Sequence, residues 1–208
     1  MITAIGDVMR RAYDKGWITT RDGNISLRRS RSSTMYITPS GWRKTIIHPE
    51  HMLKCRINPK GSEEPFFVIN DLTSKPSGEI QMHYLLQRGA IKTRAVVHLH
   101  PTNIIAAMYA GWNLQSLASQ FPEVSRYTKV GPSVPVLPAT SQLLADVTYE
   151  NFVAKNLDQG LTYNIVGQAN HGVCAVGDNP WDAYEHIERL EHICEIVLKS
   201  GVTPSQEI

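Results

Sequence analysis

Apolar residues recur along the chain with two periods, and the alternation between these periods predicts a mixture of helices and strands. In the first turns the apolar positions recur every three or four residues and define one helical face, formed by Ile2, Ile5, Val8, Met9 and Ala12. Near the other end Asn179 is a candidate helix N-cap, Pro180 suits the first turn, and Gly201 marks the end. Both regions are therefore predicted to be amphipathic helices.

Shorter apolar runs between these two helices predict strands. Strands are expected at residues 25–27, 35–38, 66–70 and 95–100, once after a helical turn within residues 48–57, and twice within residues 163–177. Further helices are expected at residues 76–89, 101–111 and 141–157. Residues 133–139 are predicted to form an edge strand, because Pro135 and Pro138 cannot donate to a ladder on both sides. The pattern favours an α/β fold in which helices cover both faces of a mixed sheet.

Length and composition narrow the class of protein. A chain of 208 residues has room for one sizeable core, so we expect a single domain over residues 1–208. A hydrophobic content of 42% with 19% charged residues is ordinary for a globular protein and excludes disordered and fibrous classes. The net charge of +2 is too small to indicate a nucleic-acid partner, but it is compatible with a small anionic substrate.

Cysteine usage and the absence of long apolar stretches suggest a cellular compartment. Cys55, Cys174 and Cys194 are odd in number and widely spaced, which argues against a disulfide framework and favours a reducing environment. The N-terminal helix lacks the continuous apolar core of a signal peptide, and no stretch is long enough to cross a bilayer. We therefore expect a cytoplasmic protein without a membrane partner.

Two histidines one residue apart end the strand predicted at residues 95–100. Side chains alternate faces in a strand, so His98 and His100 point to one side and Leu99 to the other. Such a pair is typical of hydrogen-bonded core histidines or of a metal site, and the spacing alone does not decide because a metal needs three or four ligands. His171 is the best remote candidate, since it lies at a strand interruption before Gly172, where the backbone can turn tightly or approach something closely.

Glu79 is the carboxylate that would match these histidines. It follows the sequence KPSG at a predicted helix start, where an acidic residue also simply favours the helix dipole. Solvent exposure or packing explains the remaining histidines adequately; these are His48, His51, His83, His186 and His192.

Three short loops share the chemistry of an anion site. The sequences DGNIS (residues 22–26), TPSG (38–41) and KPSG (75–78) each place glycine beside a short polar side chain. Exposed N–H groups and hydroxyls of this kind can cradle an anion, particularly at a helix N-terminus. Each loop alone is typical of an ordinary turn. Three of them beside the histidine pair favour an anionic ligand.

Taken in order, these motifs resemble the class II aldolase/adducin family over nearly the whole chain. The segments that carry the resemblance are GWITTRDGNIS, YITPSG, KPSGE, AVVHLH, ANHGVCAVG and the final helix AYEHIERLEHICEI. The resemblance implies a three-layer α/β/α fold with a central, mainly antiparallel sheet. It also implies a homotetramer with active sites at subunit contacts.

The resemblance further implies a set of site residues and an activity. His98, His100 and His171 would bind a divalent metal, usually Zn²⁺, with Glu79 beside it as base and sometimes fourth ligand. A substrate phosphate would be held by Gly23, Asn24, Ser40, Gly41, Ser77 and Gly78. The implied activity is that of a zinc-dependent aldolase, a lyase that cleaves a phosphorylated ketose similar to L-fuculose 1-phosphate through an enediolate that the metal stabilises.

The sequence departs from the aldolase pattern in two places. Aldolases of the family usually read PSSE where this chain reads PSGE, so Gly78 offers a backbone donor but no hydroxyl. They also use a tyrosine of a neighbouring subunit as proton donor; here Tyr127 is the nearest candidate and Tyr109 a distant one, and the acid is unassigned.

Other functions stay open at this point. A decarboxylase or a 4-epimerase of the same family would act on a sugar phosphate or sugar-acid phosphate through related chemistry. Two histidines and Glu79 could form a facial triad for iron(II), although a third histidine argues against it. A non-catalytic, adducin-like interaction module would keep the fold without the metal ligands, whereas this chain has them.

Overall fold

A computed structural model describes residues 1–58, 66–71, 73–88, 92, 94–153 and 160–204. Within these residues seven strands form one sheet in the order β4-β3-β2-β1-β5-β7-β6, and each neighbouring pair is antiparallel. The strands are β1 (Asn24–Arg28), β2 (Thr34–Ile37), β3 (Leu53–Ile57), β4 (Phe66–Val68), β5 (Arg94–Leu99), β6 (Ile165–Gln168) and β7 (Gly172–Gly177).

Helices cover both faces of this sheet. They are α1 (Thr3–Asp14), α2 (Ile80–Arg88), α3 (Thr102–Tyr109), α4 (Leu114–Ser119), α5 (Pro122–Tyr127), α6 (Gln142–Val153) and α7 (Pro180–Ser200), with 3₁₀ turns at Lys44–Ile46 and Pro49–His51. Helices α2 and α6 pack on one face and the other five on the opposite face. The expected three-layer α/β/α arrangement with a mainly antiparallel sheet is confirmed. Among the described helices, none has the length and hydropathy that a bilayer crossing requires.

Side chains of strand β5 pack against the helices on both faces of the sheet. It lies between β1 and β7 inside the sheet, and helices cover both of its faces there, so its apolar run is continuous. Ala95, Val97 and Leu99 pack toward α1, α3 and α7, whereas Val96 packs toward α2 and α6. His98 shares the face of Val96, which places its imidazole on the α2 side of the sheet.

The first and last helices follow their predicted signals. Ile5, Val8 and Met9 of α1 are completely buried. At the start of α7 the Asn179 side chain accepts hydrogen bonds from the N–H groups of Trp181 and Asp182, at 2.9 and 3.2 Å. Gly201 ends the helix in the left-handed conformation with φ 73°. The predicted caps are therefore present.

Two predicted elements differ in the structure, and the expected end of a third lies outside the described residues. Residues 133–139 form no regular strand; Val134 makes an isolated bridge to Gln168 and donates to the Gly167 carbonyl at 2.8 Å, and the two prolines prevent a longer ladder. The helix expected at residues 76–89 begins only at Ile80, so Glu79 lies in the preceding turn, and its expected end at residue 89 lies outside the described residues. The helix expected at 141–157 is described as far as Val153.

Candidate functional site

Three histidines converge at one end of the sheet. His98 lies near the end of β5, His100 follows that strand, and His171 lies in the turn between β6 and β7. Their ring centroids are 4.8, 4.9 and 5.2 Å apart. One nitrogen of each ring lies within 4.8 Å of those of the other two. The structure thus brings together the HxH pair and the remote histidine.

Gly172 allows the His171 turn to approach the HxH pair. A Cβ at this position would lie 2.4 Å from the Leu99 carbonyl oxygen and 2.8 Å from Cδ2 of His100. Any side chain would therefore push β7 away from the end of β5. The sequence predicted a close backbone approach at this glycine, and the structure shows what it approaches.

Hydrogen bonding fixes the orientation of the His98 ring. Its Nδ1 lies 2.9 Å from the Val173 carbonyl oxygen, which can only accept, so Nδ1 carries the proton and Nε2 presents a lone pair. That lone pair faces His100, whose Nε2 is 2.9 Å away. Burial, with a further contribution from the neighbouring imidazoles, lowers the pKa of His98 and of His100. Both rings are therefore neutral near pH 7, as metal ligands must be.

Glu79 completes the cluster from the turn before α2. The side chain is 7% exposed, and its Oε2 lies 3.1 Å from Nε2 of His98. Its Oε1 lies 3.5 Å from Nε2 of His171 and has no hydrogen-bond partner among the described residues. A buried carboxylate oxygen without a donor is costly unless a cation or a ligand proton satisfies it.

The donor set fits a divalent metal. Nitrogen ligands of tetrahedral zinc stand about 2.0–2.1 Å from the ion and hence roughly 3.3 Å from one another. The 2.9 Å separation of the His98 and His100 nitrogens is close to that value. The unpartnered oxygen of Glu79 supplies negative charge on the same side. His98, His100 and His171, with Glu79 as neighbour or fourth ligand, could therefore hold such an ion.

All of the predicted site residues line one pocket of about 290 Å³. Its wall brings the loops 38–41 and 75–78 together through backbone bonds, from Ser40 N to Lys75 O at 2.8 Å and from Ser77 N to Thr38 O at 3.1 Å. These bonds use the amides of Ser40 and Ser77. The Ser77 hydroxyl accepts from the Glu79 N–H at 3.3 Å and can still donate, and both serines and the adjoining glycines line the pocket.

Gly23 and Asn24 reach the pocket from the start of β1. Gly23 adopts φ 71°, and a Cβ there would lie 2.7 Å from the Ile18 side chain and 3.2 Å from the His98 carbonyl oxygen. Asn24 donates from Nδ2 to Oε2 of Glu79 at 3.0 Å. The Asn24 amide is therefore primarily a partner of Glu79, with one further N–H for a ligand.

Lys44 is a pocket residue that the sequence did not single out. It is 2% exposed, and its Nζ donates to the carbonyl oxygens of Arg21 and Trp42, at 2.9 and 3.1 Å. Within the described part of the chain no carboxylate forms an ion pair with it. Burial lowers the pKa of Lys44, and Asp22 opposes this effect. The sequence feature that could have indicated this residue is its position three residues after TPSG.

A second unexpected feature is a buried row of polar side chains between β1 and α2. Nδ1 of His83 lies 2.7 Å from the Ser26 hydroxyl, and its Nε2 contacts Oδ1 of Asn24. Gln87 donates to the same hydroxyl at 3.0 Å. Burial lowers the pKa of His83 to about 3. The signal for this row was the spacing of four residues from Glu79 to His83 and on to Gln87.

The two candidate proton donors lie away from the pocket. Tyr109 ends α3 with 80% of its surface exposed, and Tyr127 ends α5 in a separate cleft beside His186 and Arg189. Neither tyrosine lines the pocket of the histidine cluster.

Cys174 pairs with His98 across β5 and β7, but burial raises the pKa of its thiol, so it is a protonated core residue.

Comparisons with known proteins identify related sequences and a related fold. The sequence profile described as "Class II Aldolase and Adducin N-terminal domain" matches residues 3–198. An L-fuculose phosphate aldolase from Methanococcus maripaludis is 24% identical over 202 residues, 94% of either chain. A 3-oxo-tetronate 4-phosphate decarboxylase from Pectobacterium atrosepticum is 28% identical over 193 residues, 91% of this chain and 79% of that protein. The crystal structure of a sugar-phosphate aldolase from Thermotoga maritima superposes with a TM-score of 0.77 at 22% identity, covering 98% and 97% of the two chains.

These comparisons differ in what they establish. At 22% identity the structural likeness bears on the fold alone. The profile match spans every described strand and all of the residues of the pocket. The chain therefore belongs to the class II aldolase and adducin N-terminal domain family.

Proposed function

We propose that this protein is a zinc-dependent aldolase, a carbon–carbon lyase acting on a phosphorylated ketose similar to L-fuculose 1-phosphate. The observation that carries the proposal is the convergence of His98, His100 and His171 on the unpartnered oxygen of Glu79, in a pocket walled by the three glycine-containing loops. A structural zinc site is normally closed by four protein ligands, whereas three imidazoles beside a pocket leave room for a substrate.

The three histidines act as the metal ligands in this proposal. A bound Zn²⁺ would supply Lewis-acid stabilisation of negative charge on the substrate oxygens. Because the three histidines are neutral ligands, they would leave the positive charge of the ion undiminished. The bond from His98 Nδ1 to the Val173 carbonyl holds one ring in the tautomer and orientation that ligation needs.

Glu79 is the proposed base. Its Oε2 is held by Asn24, while its Oε1 lies 3.5 Å from Nε2 of His171 without a hydrogen-bond partner among the described residues and can accept a proton. In the cleavage direction Glu79 would take the proton of the substrate hydroxyl as the adjacent carbon–carbon bond breaks. The pair of electrons from that bond is left on the fragment that carries the phosphate, and a proton must then return to its carbon.

The phosphate is proposed to bind against the glycine-containing loops. Its ligands would be Gly23, Asn24, Ser40, Gly41, Ser77 and Gly78, which all line the pocket. Lys44 supports an anionic substrate, because its buried ammonium has carbonyl partners but no carboxylate partner in the described structure. An anion fixed in this way would orient the reacting end of the substrate.

Decarboxylation of a 3-oxo acid phosphate is the second candidate. Loss of carbon dioxide leaves the same kind of electron pair on carbon, and the 28% identical relative is described as a decarboxylase of this kind. A 4-epimerase is a further enzymatic alternative. The complete set of His98, His100, His171 and Glu79 counts against a non-catalytic interaction module, and the third histidine counts against an iron(II) facial triad.

A panel assay separates these activities. Purified protein reconstituted with Zn²⁺ is incubated with ketose phosphates, pentulose phosphates and 3-oxo acid phosphates, and released aldehyde, released carbon dioxide and epimerised product are measured separately. Aldehyde release from a ketose 1-phosphate, abolished by His98→Ala, is the expected result. Carbon dioxide release alone would replace the aldolase with the decarboxylase, and no turnover of any compound by metal-loaded protein would refute the aldolase, decarboxylase and epimerase proposals alike.

We also propose that the protein is a cytoplasmic homotetramer. Neither Tyr109 nor Tyr127 lines the pocket of its own chain, so a tyrosine proton donor would have to come from a second copy. Light scattering coupled to size-exclusion chromatography measures the assembly directly. A monomer with full activity would show that no second copy contributes to the site.

A further inference from the structure

A continuous row of buried polar side chains leads from Glu79 into the layer between β1 and α2. Glu79, His83 and Gln87 lie four residues apart and so share one face of α2 and the turn before it. Asn24 and Ser26 lie two residues apart on β1 and share the face toward them. Each of the five side chains is at most 7% exposed. Positions four residues apart on the helix and two residues apart on the strand therefore lie opposite one another along this row.

The two ends of the row fix the direction of every hydrogen bond in it. At one end the Glu79 carboxylate can only accept, so the Asn24 amide must present its Nδ2 there, at 3.0 Å. At the other end the Arg94 carbonyl can only accept, so Gln87 must present Nε2 there, at 3.1 Å. The Glu79 carboxylate and the Arg94 carbonyl cannot donate, so they fix the orientation of the two amide groups.

His83 connects the two ends and has one compatible tautomer. Asn24 presents Oδ1 to Nε2 of His83, so Nε2 must carry a proton. Nδ1 is then bare and accepts from the Ser26 hydroxyl at 2.7 Å, and the hydroxyl oxygen in turn accepts from Gln87 at 3.0 Å. Every hydrogen bond in the row therefore runs in the direction of Glu79. Gln87 donates to Ser26, Ser26 to His83, His83 to Asn24, and Asn24 to Glu79.

We propose that His83 is a positioning residue, which as the neutral Nε2–H tautomer holds the Asn24 amide with its N–H group toward Glu79 and so leaves Oε1 of Glu79 directed at His171. This inference rests on the proposed role of Glu79 as base. If the His83 proton were on Nδ1, Nε2 would face the Asn24 carbonyl oxygen, acceptor to acceptor. The Asn24 amide would then turn over and place its oxygen against the Glu79 carboxylate, which would displace Glu79.

The row also explains a histidine inside a hydrophobic layer. His83 is fully buried, and burial lowers its pKa to about 3, so the neutral ring that the row requires is the form present near pH 7. A leucine of similar volume would fill the same space but would leave the hydroxyl proton of Ser26 and the Oδ1 atom of Asn24 without a partner.

Nitrogen-15 NMR of the zinc-loaded protein tests the tautomer without reference to activity. The His83 signals are assigned by their loss in His83→Gln. At pH 7 we expect a protonated Nε2 and an unprotonated Nδ1. The opposite tautomer, or an imidazolium, would reverse or break the row and overturn the inference.

Two substitutions of His83 test its effect on Glu79. Glutamine can donate from Nε2 to Asn24 and accept from Ser26, whereas leucine can do neither. We expect His83→Leu to lower kcat by roughly tenfold to a hundredfold, as substitutions behind metal-site residues do, with KM and zinc content near those of wild type. His83→Gln should recover most of that loss. His192→Leu, an exposed histidine of α7, is the matched control.

The outcomes are separable from those of the proposed function. Wild-type kcat in His83→Leu, or equal losses in the leucine and glutamine variants, would refute positioning by hydrogen bonds. If His83→Leu does not fold, Ser26→Ala removes the hydroxyl that donates to Nδ1 and should lower kcat in the same direction; an unchanged kcat there would refute the row. If no sugar phosphate is turned over at all, the proposed function fails, while the NMR result still decides the tautomer.

Discussion

The Nε2 atoms of His98 and His100 lie 2.9 Å apart, and burial keeps both imidazoles neutral near pH 7. His98 has its proton on Nδ1, so the short contact requires either the proton of His100 or a shared cation between the rings. A divalent metal would satisfy both rings and the adjacent Glu79 together, which makes metal content the first quantity to measure.

Removing one imidazole should remove the metal. His98→Ala is expected to lower bound zinc from about one equivalent per chain to near zero, because two histidines and a carboxylate remain in a site that was shaped around three rings. Elemental analysis after gel filtration measures the loss, and circular dichroism checks the fold. His192→Ala is the control. Full zinc content in folded His98→Ala would contradict the ligand assignment.

Replacing the base should separate binding from turnover. Glu79→Gln keeps the volume and can offer an oxygen to the Asn24 N–H, but it cannot take a proton. We expect kcat to fall by about 10²–10⁴-fold with zinc retained. Steady-state kinetics and elemental analysis on the same sample give both values. Near-normal turnover would exclude Glu79 as the base.

Lys44 should affect affinity for the phosphorylated substrate more than turnover. Lys44→Gln keeps a donor for the Arg21 and Trp42 carbonyls but removes the charge. Loss of a charged hydrogen bond is worth about 1.5–3 kcal/mol, so KM for the phosphorylated substrate and the inhibition constant of inorganic phosphate should rise roughly tenfold to a hundredfold. Lys129→Gln makes the same charge change at an exposed site. Equal constants in the two variants would rule out contact between Lys44 and the anion.

Substitutions at Gly78, the glycine of the PSGE sequence, and at Thr140 are expected to have coupled effects on stability. A Cβ at Gly78 would lie 3.0 Å from Cγ2 of Thr140, so Gly78→Ser should crowd that methyl group and destabilise the protein by about 1–3 kcal/mol. Thr140→Ser removes the methyl group, and the double variant should recover the stability and gain a hydroxyl in the pocket. Urea unfolding of the two single variants and the double variant measures the coupling, and strictly additive effects would contradict it.

Acid should destabilise the metal-free protein through His83. The pKa of this ring is about 3 in the folded chain against 6.5 for the ordinary value, so between these values the unfolded chain binds the extra proton. Stability from this source is complete above pH 6.5 and falls as the pH drops toward 3, by up to ~1.4 kcal/mol per pH unit. Urea unfolding at several pH values should therefore show a steeper loss for wild type than for His83→Gln; parallel curves would contradict the prediction.

Much of the fold could be predicted from local signals, whereas the residues alone left the role of the histidines open and only the resemblance to the family implied a metal site. Strand alternation put His98 and His100 on one side, Gly172 marked a close approach, and capping residues delimited α7. The six-residue helices α4 and α5 gave no such signal, because neither is long enough to show a full amphipathic repeat. Residues 133–139 kept only bridge contacts because two prolines interrupt the ladder.

Lys44 and His83 could not be assigned from the sequence for a different reason. The partners of His83 are 57 and 59 residues away, and Lys44 binds a carbonyl 23 residues away. Each residue type alone is consistent with solvent or packing. Only the pairing of β1 with β5, and the placement of α2 over them, shows that both belong to the surroundings of one pocket.

The register of the central strands has a practical consequence. Asn24 and His98 are direct partners across β1 and β5, so a slip of one residue would turn one of them to the opposite face of the sheet. If β5 slipped, the His98 ring would leave the α2 side of the sheet and the proposed metal site would lose one ligand. The absorption spectrum of bound cobalt(II) would consequently report what fraction of the molecules has placed β5 in the correct register.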